Sequence, residues 1–295
     1  MIRHVGHVNF LEVSATVVEI MSRAPYFSCV IPVKGERPFV GLAIDSLRAQ
    51  GIGDELEIII QDAGSPCGGV EEFGVVCLRG VEWIREPDAG QSDALNKGFA
   101  KAKGEWLFWL NADDVLLPGA LKKVLDRINR TDRIDWVVGN QLLIDDAGKV
   151  LKCSVGNGWH DWLYRHAVPH VYGPSSFFRR ELLERVGGLD VLLKYCMDWD
   201  LWIKFMKSGA RFERIDEYLW AQRQWLGSKT QREMSQQENV LFWGEINEML
   251  ERNGVSVTRT GTLMMRIWRF FNGNIPRQFF DGIRFADKEW KSLYA

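Results

Sequence analysis

The stretch Trp106-Leu107-Phe108-Trp109-Leu110-Asn111-Ala112-Asp113-Asp114, followed by Pro118, decides how the rest of the chain is read. Its five consecutive large apolar residues read as a buried strand, and that strand delivers two adjacent acids to its end. A lone buried carboxylate costs several kcal/mol, so the acids are either solvated or hold a cation. A magnesium- or manganese-type ion takes one or two carboxylates and completes its shell with water and substrate phosphates. Solvated caps at a loop start look the same in isolation. The neighbouring segments decide between the two.

Upstream, short β-branched runs alternate with helical periods, the pattern of an α/β fold with a mostly parallel central sheet and flanking helices. Strands are expected over 27–33, 56–60, 81–85 and 106–110, and helices over 39–50 and 94–103. Each strand ends in polar residues. Ligands of open α/β sheets bind beyond the carboxyl ends of the strands, so Asp62, Glu86 and residues 111–114 are expected to converge on one crevice. Asp62 precedes Ala63-Gly64-Ser65; an acid at a strand end, followed by a sharp glycine turn, can accept from a base or a ribose. In Glu86-Pro87-Asp88-Ala89-Gly90-Gln91-Ser92-Asp93-Ala94-Leu95-Asn96-Lys97-Gly98 a turn caps a helix, with Lys97 one turn after Asp93.

Downstream, helices are expected over 121–128 and 199–207 and a last strand over 211–215. Strands over 136–144 and 149–155 flank Asp145-Asp146-Ala147-Gly148, a hairpin-turn composition. After Gly187-Gly188-Leu189-Asp190 comes Asp198-Trp199-Asp200-Leu201-Trp202. Asp198 falls at a helix N-terminus, where the dipole favours the ionised carboxylate that a general base requires.

Composition narrows the classes. The chain has 295 residues, 46% hydrophobic and 26% charged, as soluble globular proteins do, and its length suits one large domain with appendages or two modest ones. Lys and Arg total 37 against 39 for Asp and Glu, so no global positive field draws nucleic acid, and no nucleic-acid partner is expected. Five cysteines without a CxxC pair fit neither a disulfide framework nor a zinc knuckle and point to a reducing, cytoplasmic setting. The stretch near the start is broken by Asn9, Glu12 and Glu19, so no signal-peptide core is expected, and no apolar run is long enough to span a membrane. No GxGxxG follows the first strand, which excludes a dinucleotide oxidoreductase, and Gly227-Ser228-Lys229-Thr230 is not a Walker loop.

Residues 27–230 resemble a family 2 glycosyltransferase with the GT-A fold. The resemblance is carried, in family order, by Val30-Ile31-Pro32, Asp62 with Gly64-Ser65, Pro87-Asp88 to Asn96-Lys97-Gly98, Asn111-Ala112-Asp113-Asp114, the 174–180 segment, and Gly187-Gly188 with Asp198 to Trp202. It implies an inverting transfer from a nucleotide-diphosphate sugar to a saccharide or lipid-linked acceptor, with a divalent cation, Mn or Mg. Asp62 would recognise the base, Asp113 the ribose and Asp114 the metal, while Asp198 would be the catalytic base. Pro32, Arg85, Asp93, Lys97, Arg223 and Lys229 would lie on the donor side. Trp199 and Trp202, three apart on one helical face, could wall the acceptor or pack the core. Two departures stand out: Met197 where Glu often precedes the base, and Trp225 where His often follows the arginine. The rival readings are a nucleotide-sugar binding module without catalysis and a glycoside hydrolase.

The chain is divided by this reading into an N-terminal segment, 1–25, a GT-A domain, 26–230, and a helical extension, 231–295. Over 262–295 the extension carries Arg266, Arg269, Arg277, Arg284, Lys288 and Lys291 against three acids, interleaved with Trp268, Phe270, Phe271, Phe279, Phe280 and Phe285. Two placements are open for it: at an anionic membrane surface on the inner face, or packed on protein, either the catalytic domain or a second copy.

Overall fold

The computed structural model describes residues 24–35, 38–64, 80–158, 160–167, 170–227 and 236–294. Ser65, Lys229 and nearly all of the N-terminal segment lie outside them.

The first half is a parallel sheet built as the alternation demands. Strands β1 (Phe27–Val33), β2 (Leu56–Asp62) and β3 (Val81–Arg85) are followed by β4 (Trp106–Trp109), with helices α1 (Val40–Arg48) and α2 (Gln91–Lys101) as crossovers. In register, Val33 lies opposite Asp62 and Asp62 opposite Arg85, while Val30 lies opposite Trp109. The carboxyl ends of all four strands therefore share one edge. Successive residues of β4 face opposite sides. Trp106 and Phe108 join Phe27, Ile31 and α1 on one face, and Leu107 and Trp109 join Val30, Leu95 and Phe99 on the other.

The second half is mixed. It comprises β5 (Val115–Leu116), α3 (Ala120–Arg130), β6 (Trp136–Ile144), β7 (Val150–Ser154), α4 (Asp161–His166), β8 (Ser176–Arg179), α5 (Arg180–Val186), α6 (Met197–Lys207) and β9 (Phe212–Arg223). The described strands form one sheet of order β3-β2-β1-β4-β8-β6-β9-β5, with β7 paired to β6. β8 is antiparallel to both β4 and β6, so it joins the halves. β9 runs parallel to β6 and antiparallel to β5. It continues eight residues beyond the strand expected at 211–215. β5 and β8 had no expectation at all.

Residues 231–295, expected as an extension, contribute α7 (Gln236–Arg252), α8 (Arg259–Phe271) and α9 (Asn274–Phe285). They do not stand apart. Ile246, Met249 and Leu250 of α7 bury against Cys196 and Ile203. Met265 of α8 enters the Trp109 cluster, and Trp290 closes over Val150 and Tyr218.

Candidate functional site

Asp62, at the end of β2, is fully buried. Its carboxylate accepts the Gly64 N–H (3.1 Å) and the Trp83 indole N–H (3.3 Å), with Arg85 Nε at 3.9 Å. Pro32 is half-buried on the neighbouring strand, opposite Gln61. The expected crevice residues of β1, β2 and β3 thus sit side by side.

Beyond β4 the two adjacent acids separate in role. Asp114 is buried: its Oδ2 accepts the Asn111 amide at 2.7 Å and its Oδ1 accepts the Arg223 backbone N–H at 2.9 Å. Burial, with Asp113 next door, raises its pKa well above the usual carboxylate range. Its carboxylate fastens the acidic loop to β9. Both oxygens of the expected metal ligand thus already accept hydrogen bonds from within the protein. Asp113 is the half-exposed member of the pair and accepts the Trp225 indole N–H at 2.9 Å. Trp225, read as a departure, therefore contacts the acid directly, and its ring packs edge-on against Phe39.

Arg223 is buried and spans the site. Nε donates to the Asp113 carbonyl, Nη1 to the carbonyls of Asp145 and Asp146, and the guanidinium lies 4.6 Å above the Phe39 ring. Among the described residues Nη2 has no hydrogen-bond partner. Among those residues, too, no group of three or more His, Cys, Asp or Glu gathers to hold a metal. Among the described residues, the acids present fit a cation only where substrate phosphates and water complete its shell.

α2 reaches the same edge. It starts three residues before the expected helix because the Asp93 carboxylate accepts the Ala89 N–H (2.9 Å) across the preceding turn. Lys97 pairs with Asp93 at 2.9 Å, holding that carboxyl below its ordinary pKa, and donates to the Pro87 carbonyl. Both are thus occupied in capping their own helix. Gln91 donates to Asn111 (3.0 Å), tying α2 to the acidic loop. Asn96 exchanges two hydrogen bonds with Leu189, each 2.9 Å. Gly188 makes that clasp possible: its φ is +76°, and a Cβ there would lie 2.8 Å from Asn96 Oδ1.

Through this clasp α6 is docked beside the strand ends. Asp198, in its first turn, is half-exposed, and Oδ1 accepts the Trp199 N–H at 2.9 Å. A Cβ on Gly173 would sit 3.5 Å from Asp198 Oδ2 and 3.0 Å from the Trp109 ring, so glycine keeps space open above the carboxylate. Trp202 is fully buried, stacked between Trp109 (5.7 Å) and Trp136 (4.9 Å). It is a core residue that anchors α6, the second of the two places the sequence left open for it. Trp199 is only partly buried and stays beside Asp198. Sequence reasoning missed the structural task of Asn111 and the direct bond of Trp225, although both lie in or next to quoted motifs.

Comparison with known proteins bears on the fold and the family. The sequence profile described as Glycosyl transferase family 2 matches residues 28–187. An "Uncharacterized glycosyltransferase" of Rickettsia felis is 25% identical over 265 residues, covering 85% of this chain and 43% of its own length. The chain thus spans less than half of that relative. Among solved structures, Staphylococcus aureus TarS 1-349 in complex with UDP-GlcNAc aligns with TM-score 0.57 at 16% identity, over 76% of this chain and 65% of that one. The mannosyltransferase PcManGT from Pyrobaculum calidifontis, in complex with GDP-Man and Mn2+, aligns with TM-score 0.52 at 20% identity, over 68% and 57%. At such identities these structures show the shared GT-A fold. The profile covers more than half of the chain, and the chain belongs to glycosyl transferase family 2, a family of transferase enzymes.

Proposed function

We propose that the protein transfers a sugar from a nucleoside-diphosphate donor to a hydroxyl of a saccharide or lipid-linked acceptor, with inversion, and that surface glycan assembly is its setting. The observation that carries this reading is the convergence on one sheet edge of Asp62, the outward Asp113 and the α6 turn bearing Asp198. Asp62 takes the base, with Pro32 and Arg85 beside it. Asp113 faces the ribose and diphosphate and is the residue that would hold a divalent ion. Such an ion, when bound, neutralises charge on the leaving diphosphate. Arg223 Nη2 and, outside the described residues, Lys229 supply cationic donors to the phosphates; Asp93 and Lys97 shape the rim. Asp198 accepts the proton of the acceptor hydroxyl, which attacks the anomeric carbon from the face opposite the diphosphate. Trp199 flanks that acceptor. TarS and PcManGT, with UDP-GlcNAc and GDP-Man bound, suggest the first donors to try.

The test is a screen of UDP- and GDP-sugars, with and without Mn or Mg, read by thermal stabilisation and by release of nucleoside diphosphate. Stabilisation by one nucleotide class and divalent-dependent turnover are expected; no nucleotide binding would sink the reading. In the same screen Asp62→Ala weakens the nucleoside diphosphate itself by about tenfold, the loss of one charge-assisted hydrogen bond to a base. An unchanged nucleoside diphosphate Kd removes Asp62 from that role.

α8 and α9 support the reading of a membrane-borne acceptor and a cytoplasmic, inner-face location. Their apolar faces point outward: Leu263, Met264, Ile267, Phe270 and Phe271 on one, Ile275, Phe279, Phe280 and Ile283 on the other, with Phe271 81% exposed. The exposed charges on the two helices themselves are Arg259, Arg266 and Arg284, all positive, with Asp287, Lys288, Glu289 and Lys291 exposed just beyond α9. No helix of the described residues is long and apolar enough to cross a membrane. Such a pair of helices suits the headgroup boundary of anionic lipid, each basic residue contributing about 1 kcal/mol. Sedimentation with anionic but not neutral vesicles, lost in Phe271→Glu/Phe279→Glu, is the expected result. A protein that ignores both vesicles and instead dimerises through this face refutes it.

A further inference from the structure

Helix α6 begins without a cap of its own. Its N-cap position is Cys196, whose side chain makes no capping bond, although the first N–H groups of any helix lack partners within it. The segment that leads into it is held instead from α7, some fifty residues away. The Glu245 carboxylate accepts the backbone N–H of Lys194 at 2.8 Å, of Tyr195 at 2.6 Å and of Cys196 at 3.0 Å, and the Cys196 thiol at 3.3 Å. Three successive amides on one carboxylate, at the positive end of a helix dipole, make a strong charge-assisted clamp. Burial and the nearby Glu245 both push the Cys196 thiol pKa up, keeping it protonated and inert.

The end of α7 adds a second hold. Arg252 and Asn253 donate to Asp200 Oδ1 at 3.2 and 3.1 Å, and Arg252 also pairs with Asp190 at 2.9 Å. Asp198 is thus bracketed, with residues 194–196 fixed on one side and residue 200 on the other. The donor-side residues Asp62 and Asp113 are held by different partners on the sheet edge.

We infer that Glu245 is a positioning residue, which from the C-terminal helix sets the place of the Asp198 carboxylate. The inference rests on Asp198 being the base. A misplacement of about 1 Å in a reacting group costs on the order of 100-fold in rate, so Glu245→Ala lowers kcat by about 30- to 100-fold. It leaves donor affinity within about twofold, because among the described residues no donor-side residue leans on α7. Glu245→Gln, which keeps one acceptor oxygen, recovers part of the loss.

The experiment uses the full chain, with UDP-GlcNAc or GDP-mannose as donor, whichever the wild type binds more tightly. It reads kcat and donor KM together with the rate at which Cys196 reacts with a thiol reagent, mapped by mass spectrometry. A kcat loss with unchanged donor KM and Cys196 labelling at least tenfold faster than wild type supports the inference. Wild-type kcat and labelling overturn it, as does a parallel fall of kcat, donor affinity and melting temperature, which marks a general loss of fold. Failure of the base assignment is distinguishable: it shows as full turnover by Asp198→Asn whatever Glu245 does.

Discussion

Asp198→Asn keeps its donor and loses turnover by about 100-fold or more. The substitution preserves the shape of the side chain and the bond that Oδ1 accepts from the Trp199 N–H, so α6 has no reason to move. What it removes is the proton acceptor, and a positioned base is worth about 10²- to 10⁴-fold. Gly173 leaves open space above the carboxylate, where the acceptor hydroxyl would approach, so the loss falls on kcat. Donor affinity, set at the strand ends, stays within about twofold. Titration of the nucleotide-sugar against both proteins, followed by turnover at saturating donor, checks it. A variant that loses donor binding as much as turnover would assign Asp198 a structural role.

The second large effect separates two neighbours. Asp113→Asn abolishes divalent-dependent donor binding and reduces transfer by about 100-fold or more, while the fold is kept, because among the described residues only the Trp225 indole leans on that carboxylate. Asp114→Ala acts through stability instead. It strands the Arg223 N–H and the Asn111 amide in a buried place, and each unsatisfied donor costs about 1–3 kcal/mol. Melting curves and Mn titrations on the two variants decide the matter. If Asp114→Asn, which retains an acceptor oxygen and the fold, is the variant that loses divalent dependence, the assignment reverses.

The contrast between these neighbours shows where the sequence stops speaking. A run of apolar residues that breaks into acids announces a strand end, and for that reason β1 to β4 and the crevice beyond them were legible. Which of two consecutive acids turns outward depends on the partner that claims the other, and that partner, Arg223, lies 109 positions away on β9. β5 escaped notice for the same reason. Its two residues pair with Ala221 and Trp220, and two residues carry no periodicity. Trp199 and Trp202 share a helical spacing, yet only the tertiary stack with Trp109 and Trp136 says which is core. The helix beside Asp198 was legible over 199–207 from its amphipathic spacing, two residues short of its observed start. The clamp on its lead-in was not, because Glu245 belongs to the segment that read as an extension beyond the GT-A domain.

β9 lies between β6 and β5, although β5 is made about a hundred residues earlier. On the ribosome this ordering becomes a matter of time. At about 5–20 residues per second, the nascent chain carries the acidic loop for on the order of 5 to 20 s before Arg223 is even polymerised. Throughout that interval Asp114 has no β9 amide to grip, and the edge of β6 awaits its parallel neighbour. The parallel β1–β4 unit can form meanwhile, since its crossovers are local. The acidic loop is therefore fixed late, when a single strand slides into a reserved slot, and Glu245 on α7 follows only after it. A truncated product ending before residue 223 would be an inert sheet with an exposed edge, the kind of species that chaperones hold.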